Sequence, residues 1–178
     1  EEITEKNTRH CVNSLSLQFK AYNNLEKATF GAGCFWQVEK IFKATTGVYL
    51  SSVGYMGGDT ENPTYEEVCK GQTNHAEVVH IHFNADIISY DEVLEIFWNN
   101  HNPTTKNRQG LDAGTQYRSV ILYNSKVQKT VAEKTIITQQ SNWKNQIVTQ
   151  VLKAPKFYRA EEYHQNYLNK NNLGSCGI

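Results

Sequence analysis

The 178-residue chain has one methionine, Met56, only 3 prolines, and four cysteines scattered at Cys11, Cys34, Cys69 and Cys176. None of these thiols forms a CxxC pair or a zinc-knuckle spacing, and four in a chain this long are too sparse for a disulfide-stapled scaffold. Each cysteine is therefore read on its own. An excess of charge is also lacking: 18 Lys+Arg balance 18 Asp+Glu, for a formal net charge of zero. The long-range attraction that draws proteins to nucleic acid or acidic lipid is then missing, so neither partner is expected. There is no run of about 18 apolar residues and no charged-then-apolar leader, so neither a membrane span nor a signal peptide is expected, and a cytoplasmic monomer is the expectation. What the chain does have is length enough for one domain, since about 150 residues bury roughly 70% of the unfolded surface without a metal or disulfide.

Residues 1–25 are polar and mixed in sign and read as an N-terminal extension, followed by one folded unit over 26–170 and a small, polar tail over 171–178 that is expected to be mobile. Within the unit, Ala28-Thr29-Phe30 predicts a strand, Gly31-Ala32-Gly33 a turn, and the spacing of Phe35, Val38, Ile41 and Phe42 a helix. Val48 to Tyr55 and Glu77 to Phe83 predict strands, the second with Val79, Ile81 and Phe83 on one face and Val78, His80 and His82 on the other. Ser89-Tyr90-Asp91-Glu92 has the S-x-x-E pattern of a capping box and predicts a helix that stops near Asn100, before Pro103. Tyr117 to Tyr123 and Ile147 to Leu152 predict further strands, and Ser125 to Gln140 and Arg159 to Asn169 further helices, the last with Tyr163 and Tyr167 at i, i+4. The order β-α-β-β-α-β with an appended helix and strand implies an α+β two-layer sandwich, its mixed, mostly antiparallel sheet of split β-α-β (ferredoxin-like) type. The polar stretches from Asp59 to Asn74 and from His101 to Thr115 are left as unusually long loops, which in a compact domain tend to be functional.

Cys34 follows Gly-Ala-Gly and opens a helix. A thiol there faces unpaired backbone N–H groups and the positive end of the helix dipole, which favour the nucleophilic thiolate. The plainer reading is a small, inert residue at a tight turn. Phe35 and Trp36 beside it favour chemistry, because an apolar wall next to a nucleophile suits a small hydrophobic substituent.

Gly31-Ala32-Gly33-Cys34-Phe35-Trp36-Gln37-Val38-Glu39 resembles the Gly-Cys-Phe-Trp-x-x-Glu signature of the A-type peptide methionine sulfoxide reductases. The similarity continues through Val53-Gly54-Tyr55-Met56-Gly57-Gly58, Asn62 to Cys69 and His75-Ala76-Glu77-Val78-Val79. Further on come Phe97-Trp98 with His101-Asn102-Pro103-Thr104-Thr105, Asn107-Arg108-Gln109-Gly110, Asp112 to Ser119, and Ala160 to Gln165. Together these blocks span roughly residues 27–168.

The resemblance implies the family's α+β sandwich and its reaction, reduction of the S epimer of methionine sulfoxide, free or in proteins, as protein repair after oxidative stress. It implies Cys34 as the nucleophile, Phe35 and Trp36 as the methyl-binding wall, and Glu77 as the acid that protonates the sulfoxide oxygen. It further implies Tyr65 and Tyr117 as phenols bonding that oxygen, and Asp112 as a rim residue holding the substrate backbone. Attack would leave Cys34 as a sulfenic acid, and Cys176 in the tail would condense with it to a redox-active disulfide reduced by thioredoxin or a small dithiol, with no bound cofactor or metal. Cys69 competes for the recycling role, but beside Val68 and Tyr65 it reads as a buried structural thiol. Cys11 reads as a bystander.

Three positions depart from the family pattern: Asn74 replaces a usual glycine, Asn102 a usual aspartate, and Leu111 a position often polar. Asparagine tolerates a left-handed backbone, so Asn74 is expected to cost little, whereas Asn102 removes a charge from its loop. Other chemistry is weighed beside this. Cys34 with His75 or His101 and Asp112 would compose a cysteine-hydrolase triad; Cys34 and Cys176 would serve a thiol redox sensor; and His80-x-His82, otherwise solvated face residues, would offer half of a zinc site.

Overall fold

The computed structural model describes residues 24–175, so Cys11, most of the proposed extension, and Cys176 lie outside the described residues. Strand β1 (Leu25–Ala32) leads into helix α1 (Phe35–Lys43), and β2 (Val48–Met56) into the short helix α2 (Tyr65–Cys69). Then come β3 (Ala76–Asn84), α3 (Tyr90–Asn99), a small hairpin of β4 (Arg108–Gln109) and β5 (Asp112–Ala113), and β6 (Ser119–Tyr123). Helix α4 (Lys126–Gln139), β7 (Gln150–Lys153), β8 (Tyr158–Arg159) and α5 (Tyr167–Lys170) complete the described chain.

Six strands form one sheet in the order β7-β6-β1-β3-β2-β8, and every neighbouring pair is antiparallel except β6 and β7. The central four, β6-β1-β3-β2, are the split β-α-β arrangement that the element order implied. Alternation along β3 decides which side is covered. Val79, Ile81 and Phe83 turn with Phe30 and Ile121 toward Val38 and Phe42 of α1, Val93, Leu94 and Phe97 of α3, and Ala132 of α4. Phe30 stacks on both Phe42 and Phe97 with ring centroids 5.2 Å apart. On the opposite face Met56, Val78, Val120 and Leu122 bury against Ala154 and Phe157. His80 lies on that second face, stacked on Phe157 and bonded through Nδ1 to the Thr29 hydroxyl at 2.7 Å, and burial lowers its imidazole to about 4. It is a packed residue, not the solvated one expected.

Local chemistry explains the boundaries. Ser89 and Glu92 form the expected capping box at the start of α3. A second box, in which the Thr64 hydroxyl takes the Glu67 N–H and the Glu67 carboxylate takes the Thr64 N–H, starts α2 inside what reads in the sequence as loop. The helix expected over Arg159 to Asn169 is absent: Arg159 pairs in β8, and only Tyr167–Lys170 is α-helical. The reason is lateral. Gln165 gives its amide N–H to the Val53 and Ala160 carbonyls and accepts the Val53 N–H, pinning this stretch to the edge of β2. Asn166 then turns left-handed at φ 56° before α5 begins.

Candidate active site

Cys34 is the N-cap of α1, where no acidic residue occupies the first helical turn. The turn before it needs glycine twice. Gly33 sits at φ 89°, and a Cβ there would stand 2.6 Å from the Gln109 side chain; a Cβ on Gly31 would stand 2.8 Å from Val120. The turn that presents Cys34 therefore packs more closely against Gln109 and Val120 than a substituted turn would permit.

A cavity of about 420 Å³ opens beside it, lined by Cys34, Phe35, Trp36, Tyr65, Glu77, Asp112 and Tyr117 together with Gln109, Leu111 and Ser175. Every sequence-derived site residue within the described chain lines this one cavity. Asp112 reaches it from the β4–β5 hairpin as an exposed residue, and Tyr117 from the turn that precedes β6. Glu77 is 1% exposed and accepts the Phe35 N–H through Oε2 at 3.1 Å, so the carboxyl is tied to the peptide that follows the thiol. Burial pushes the Tyr65 and Tyr117 phenols well above the ordinary tyrosine range. Both rings remain neutral hydrogen-bond donors throughout the physiological range.

The aromatic wall is held from behind by residues to which the sequence assigned no role. The Trp36 indole N–H donates to His164 Nδ1 at 3.1 Å, and its ring stacks on Tyr167 at 4.0 Å. His164 is 1% exposed and also packs on Tyr65, with ring centroids 4.3 Å apart. Its Nδ1 is an acceptor, so the neutral ring carries its proton on Nε2, which faces Glu161 Oε2 at 3.9 Å. Glu161 in turn accepts the Tyr55 hydroxyl and the Tyr65 N–H, both at 2.9 Å. Glu39, the distal residue of the signature, is buried and accepts the Asn166 N–H at 2.7 Å and the Ser51 hydroxyl at 3.1 Å, so it fixes α1 to the start of α5. The hints in the sequence were a glutamate on the buried side of an amphipathic helix and a histidine among tyrosines.

Cys69 differs from expectation. Both Cys34 and Cys69 are thiols, but Cys69 is exposed and hydrogen-bonded to the Tyr65 side chain one helical turn earlier. Helix α2 turns Val68 inward instead, which leaves position 69 at the outer end. The departures from the family pattern are accommodated. Asn74 has φ 56° and donates to Asp59 at 2.6 Å, and the Asn102 side-chain oxygen accepts the Thr104 N–H and hydroxyl at 2.9 and 2.7 Å, a task that does not need the second carboxylate oxygen. Leu111 is 78% exposed at the cavity rim.

Neither candidate histidine serves the thiol as a hydrolase base. His75 accepts the Gly58 N–H at Nδ1 and donates from Nε2 to the Thr60 carbonyl at 2.8 Å. His101 donates from Nδ1 to the Phe97 carbonyl at 2.7 Å, so its Nε2 accepts the Ser119 hydroxyl, which in turn accepts from Thr149. The ring nitrogens of both are taken, and the triad reading falls. No group of three His, Cys, Asp or Glu side chains suited to a metal lies together among the described residues.

Burial lowers the His101 imidazole from 6.5 to about 4. Between those values the unfolded chain takes up a proton that the folded chain does not, so the stabilisation is complete above about pH 6.5 and is lost as pH falls toward 4. Denaturant titrations at pH 7 and pH 4 are expected to show a stability loss in the wild type exceeding that of His101→Gln by roughly 2–3 kcal/mol. An equal loss in both proteins would refute the assignment.

The last described residues complete the site. Lys40 Nζ on α1 donates to the carbonyls of Leu173 and Gly174 at 3.1 and 2.6 Å, and Ser175 reaches the cavity wall. The beginning of the expected mobile tail is thus anchored, and anchored to the helix that Cys34 caps. Lys40→Ala is expected to leave the first-turnover burst of product unchanged and to lower steady-state turnover with thioredoxin several-fold.

A thiol capping a helix, within one peptide unit of a buried carboxyl and facing paired phenols, defines a thiol-dependent oxidoreductase acting on an oxygen-bearing, partly apolar group. The comparisons narrow that class. The family model described as peptide methionine sulfoxide reductase matches residues 26–178. A peptide methionine sulfoxide reductase MsrA of Methanothermobacter thermautotrophicus is 52% identical over 153 residues, covering 85% of this chain and 90% of that protein. Its counterpart in Acidobacterium capsulatum is 53% identical over 156 residues, covering 86% of this chain and 100% of that protein. Among solved structures, Mxr1 of Saccharomyces cerevisiae in reduced form superposes with a TM-score of 0.82 at 35% identity, covering 86% of this chain and 89% of that one. Methionine sulfoxide reductase A of Corynebacterium diphtheriae superposes with 0.79 at 38% identity, covering 86% and 78%. The chain belongs to the peptide methionine sulfoxide reductase family.

Proposed function

We propose that this protein reduces the S epimer of methionine sulfoxide, free and in proteins, and so repairs oxidised methionine. The observation that carries this reading is the single cavity in which Cys34, the Phe35–Trp36 wall, Glu77 and the two phenols meet. The sulfoxide methyl rests on Phe35 and Trp36, and the phenols of Tyr65 and Tyr117 donate to its oxygen. Asp112 at the rim holds the backbone of the substrate.

The Cys34 thiolate attacks the sulfoxide sulfur while Glu77 gives a proton to the oxygen. Burial is the condition under which a carboxyl holds such a proton near neutral pH. Oxygen passes to the thiol: sulfoxide plus Cys34–SH gives methionine plus Cys34–SOH. Cys176 then attacks the Cys34 sulfur, releasing water and forming a disulfide, which the dithiol of thioredoxin reduces while being oxidised itself. The clamp of Lys40 on residues 173 and 174 supports this geometry, because it directs the chain leading to Cys176 toward the cavity. In this reading residues 26–170 are the catalytic unit, working as a monomer in the cytoplasm without a bound cofactor.

The test is turnover of each sulfoxide epimer with thioredoxin as reductant, with the disulfide mapped by mass spectrometry. S-epimer turnover and a Cys34–Cys176 bond accumulating without reductant are expected. Turnover of the R epimer would refute the substrate assignment. Cys176→Ser turning over at an unchanged rate would refute the recycling step alone.

A further inference from the structure

Arg118 follows Tyr117 directly and is not used by the chemistry above. Its guanidinium is largely withdrawn from water, and that burial pulls its pKa below the ordinary arginine value. Cations so placed are normally paired with a carboxylate, since an uncompensated charge is costly to desolvate. Among the described residues Arg118 has no such partner. The ion pairs found among the described residues involve Lys129, Arg159, His164 and Lys170 instead. Of its five N–H donors, one is used among the described residues, from Nη1 to the Thr115 carbonyl at 2.8 Å, while Nη2 lies over Gly57, 3.2 Å from where a Cβ would stand.

Arg118 also lines a second cavity of about 270 Å³, together with Lys106, Asn107, Ser119, Val148 and Gln150. Its walls carry two cations and two amides and no acidic side chain. The cavity sits at the root of the β4–β5 hairpin, where Asn107 turns left-handed at φ 51° and its carbonyl accepts the Gly114 N–H at 2.9 Å. The same hairpin presents Gln109 and Asp112 to the catalytic cavity.

We propose that this second cavity binds a small oxyanion, a phosphate or a carboxylate, between the Arg118 fork and the Lys106 ammonium. A planar guanidinium matches two oxygens of either group at once, and the flexible lysine adds a point charge from the loop side. An anion held there joins β6 to residue 106 and braces the hairpin from behind. The site involves none of the groups assigned to sulfoxide reduction and does not depend on that assignment.

The experiment measures the thermal midpoint of the full chain against increasing inorganic phosphate, and separately acetate, each compared with chloride at equal ionic strength. A saturable rise with phosphate, acetate or both is expected, and the arm that responds identifies the preferred oxyanion. Arg118→Gln is expected to weaken the apparent affinity about tenfold or more, the scale set by one hydrogen-bonded charge pair, and Lys106→Ala several-fold. Lys106 is exposed, so its variant tests the site even where Arg118→Gln folds poorly. A shift no larger than that of chloride, or one unchanged in Lys106→Ala, would overturn the proposal.

Discussion

Glu77→Gln is expected to lower kcat/KM for methionine S-sulfoxide by roughly 10²–10⁴-fold, the span associated with loss of a positioned general acid. The substitution is nearly isosteric, and the glutamine oxygen can still accept the Phe35 N–H that Glu77 accepts at 3.1 Å. It removes only the proton that the proposed mechanism gives to the leaving oxygen. The readout that separates chemistry from folding is the single-turnover rate, measured beside a thermal midpoint that stays within a few degrees of wild type. An unchanged single-turnover rate would mean that oxygen is protonated from elsewhere.

The double substitution Tyr65→Phe with Tyr117→Phe is expected to cost about 10²–10³-fold in kcat, as removal of a preorganised donor to a charge-bearing oxygen does. Each single variant should lose less than the double, because in the proposed mechanism the remaining phenol still donates to the same oxygen. Phenylalanine keeps the ring contacts that position Tyr65, 4.3 Å from His164 and 6.5 Å from Phe35, so the apolar wall survives. Kinetics on both sulfoxide epimers test this. Loss of binding with unchanged kcat would assign the phenols to ground-state recognition instead.

Much of this arrangement was legible in the sequence because it is written locally. A Gly-x-Gly-Cys turn before an amphipathic run gave the N-cap thiol of α1, alternation gave β3, and Ser89 with Glu92 gave the start of α3. Helix α2 went unread although Thr64 and Glu67 carry the same capping pattern, since its five residues contain only one buried position to mark a period. The region from Arg159 onward misled for the opposite reason: its composition suits a helix, yet Gln165 bonds the backbone of Val53, 112 positions earlier. The support of Trp36 by His164 spans 128 positions. No window along a sequence contains such a pair. The exposure of Cys69 was likewise set by which side of a five-residue helix met the sheet.

Helix α1 has a wider consequence. At nine residues it is a rod of about 13 Å, capped by Cys34 at one end and bearing the Lys40 anchor of the tail further along. Glu39 also bonds it to the start of α5, four residues before that tail begins its return. Fluctuations that shift this rod therefore carry the Cys34 thiol and the anchor of residues 173 and 174 together. The separation of thiol and anchor becomes a property of one rigid body, insulated from movement in the loops that line the cavity.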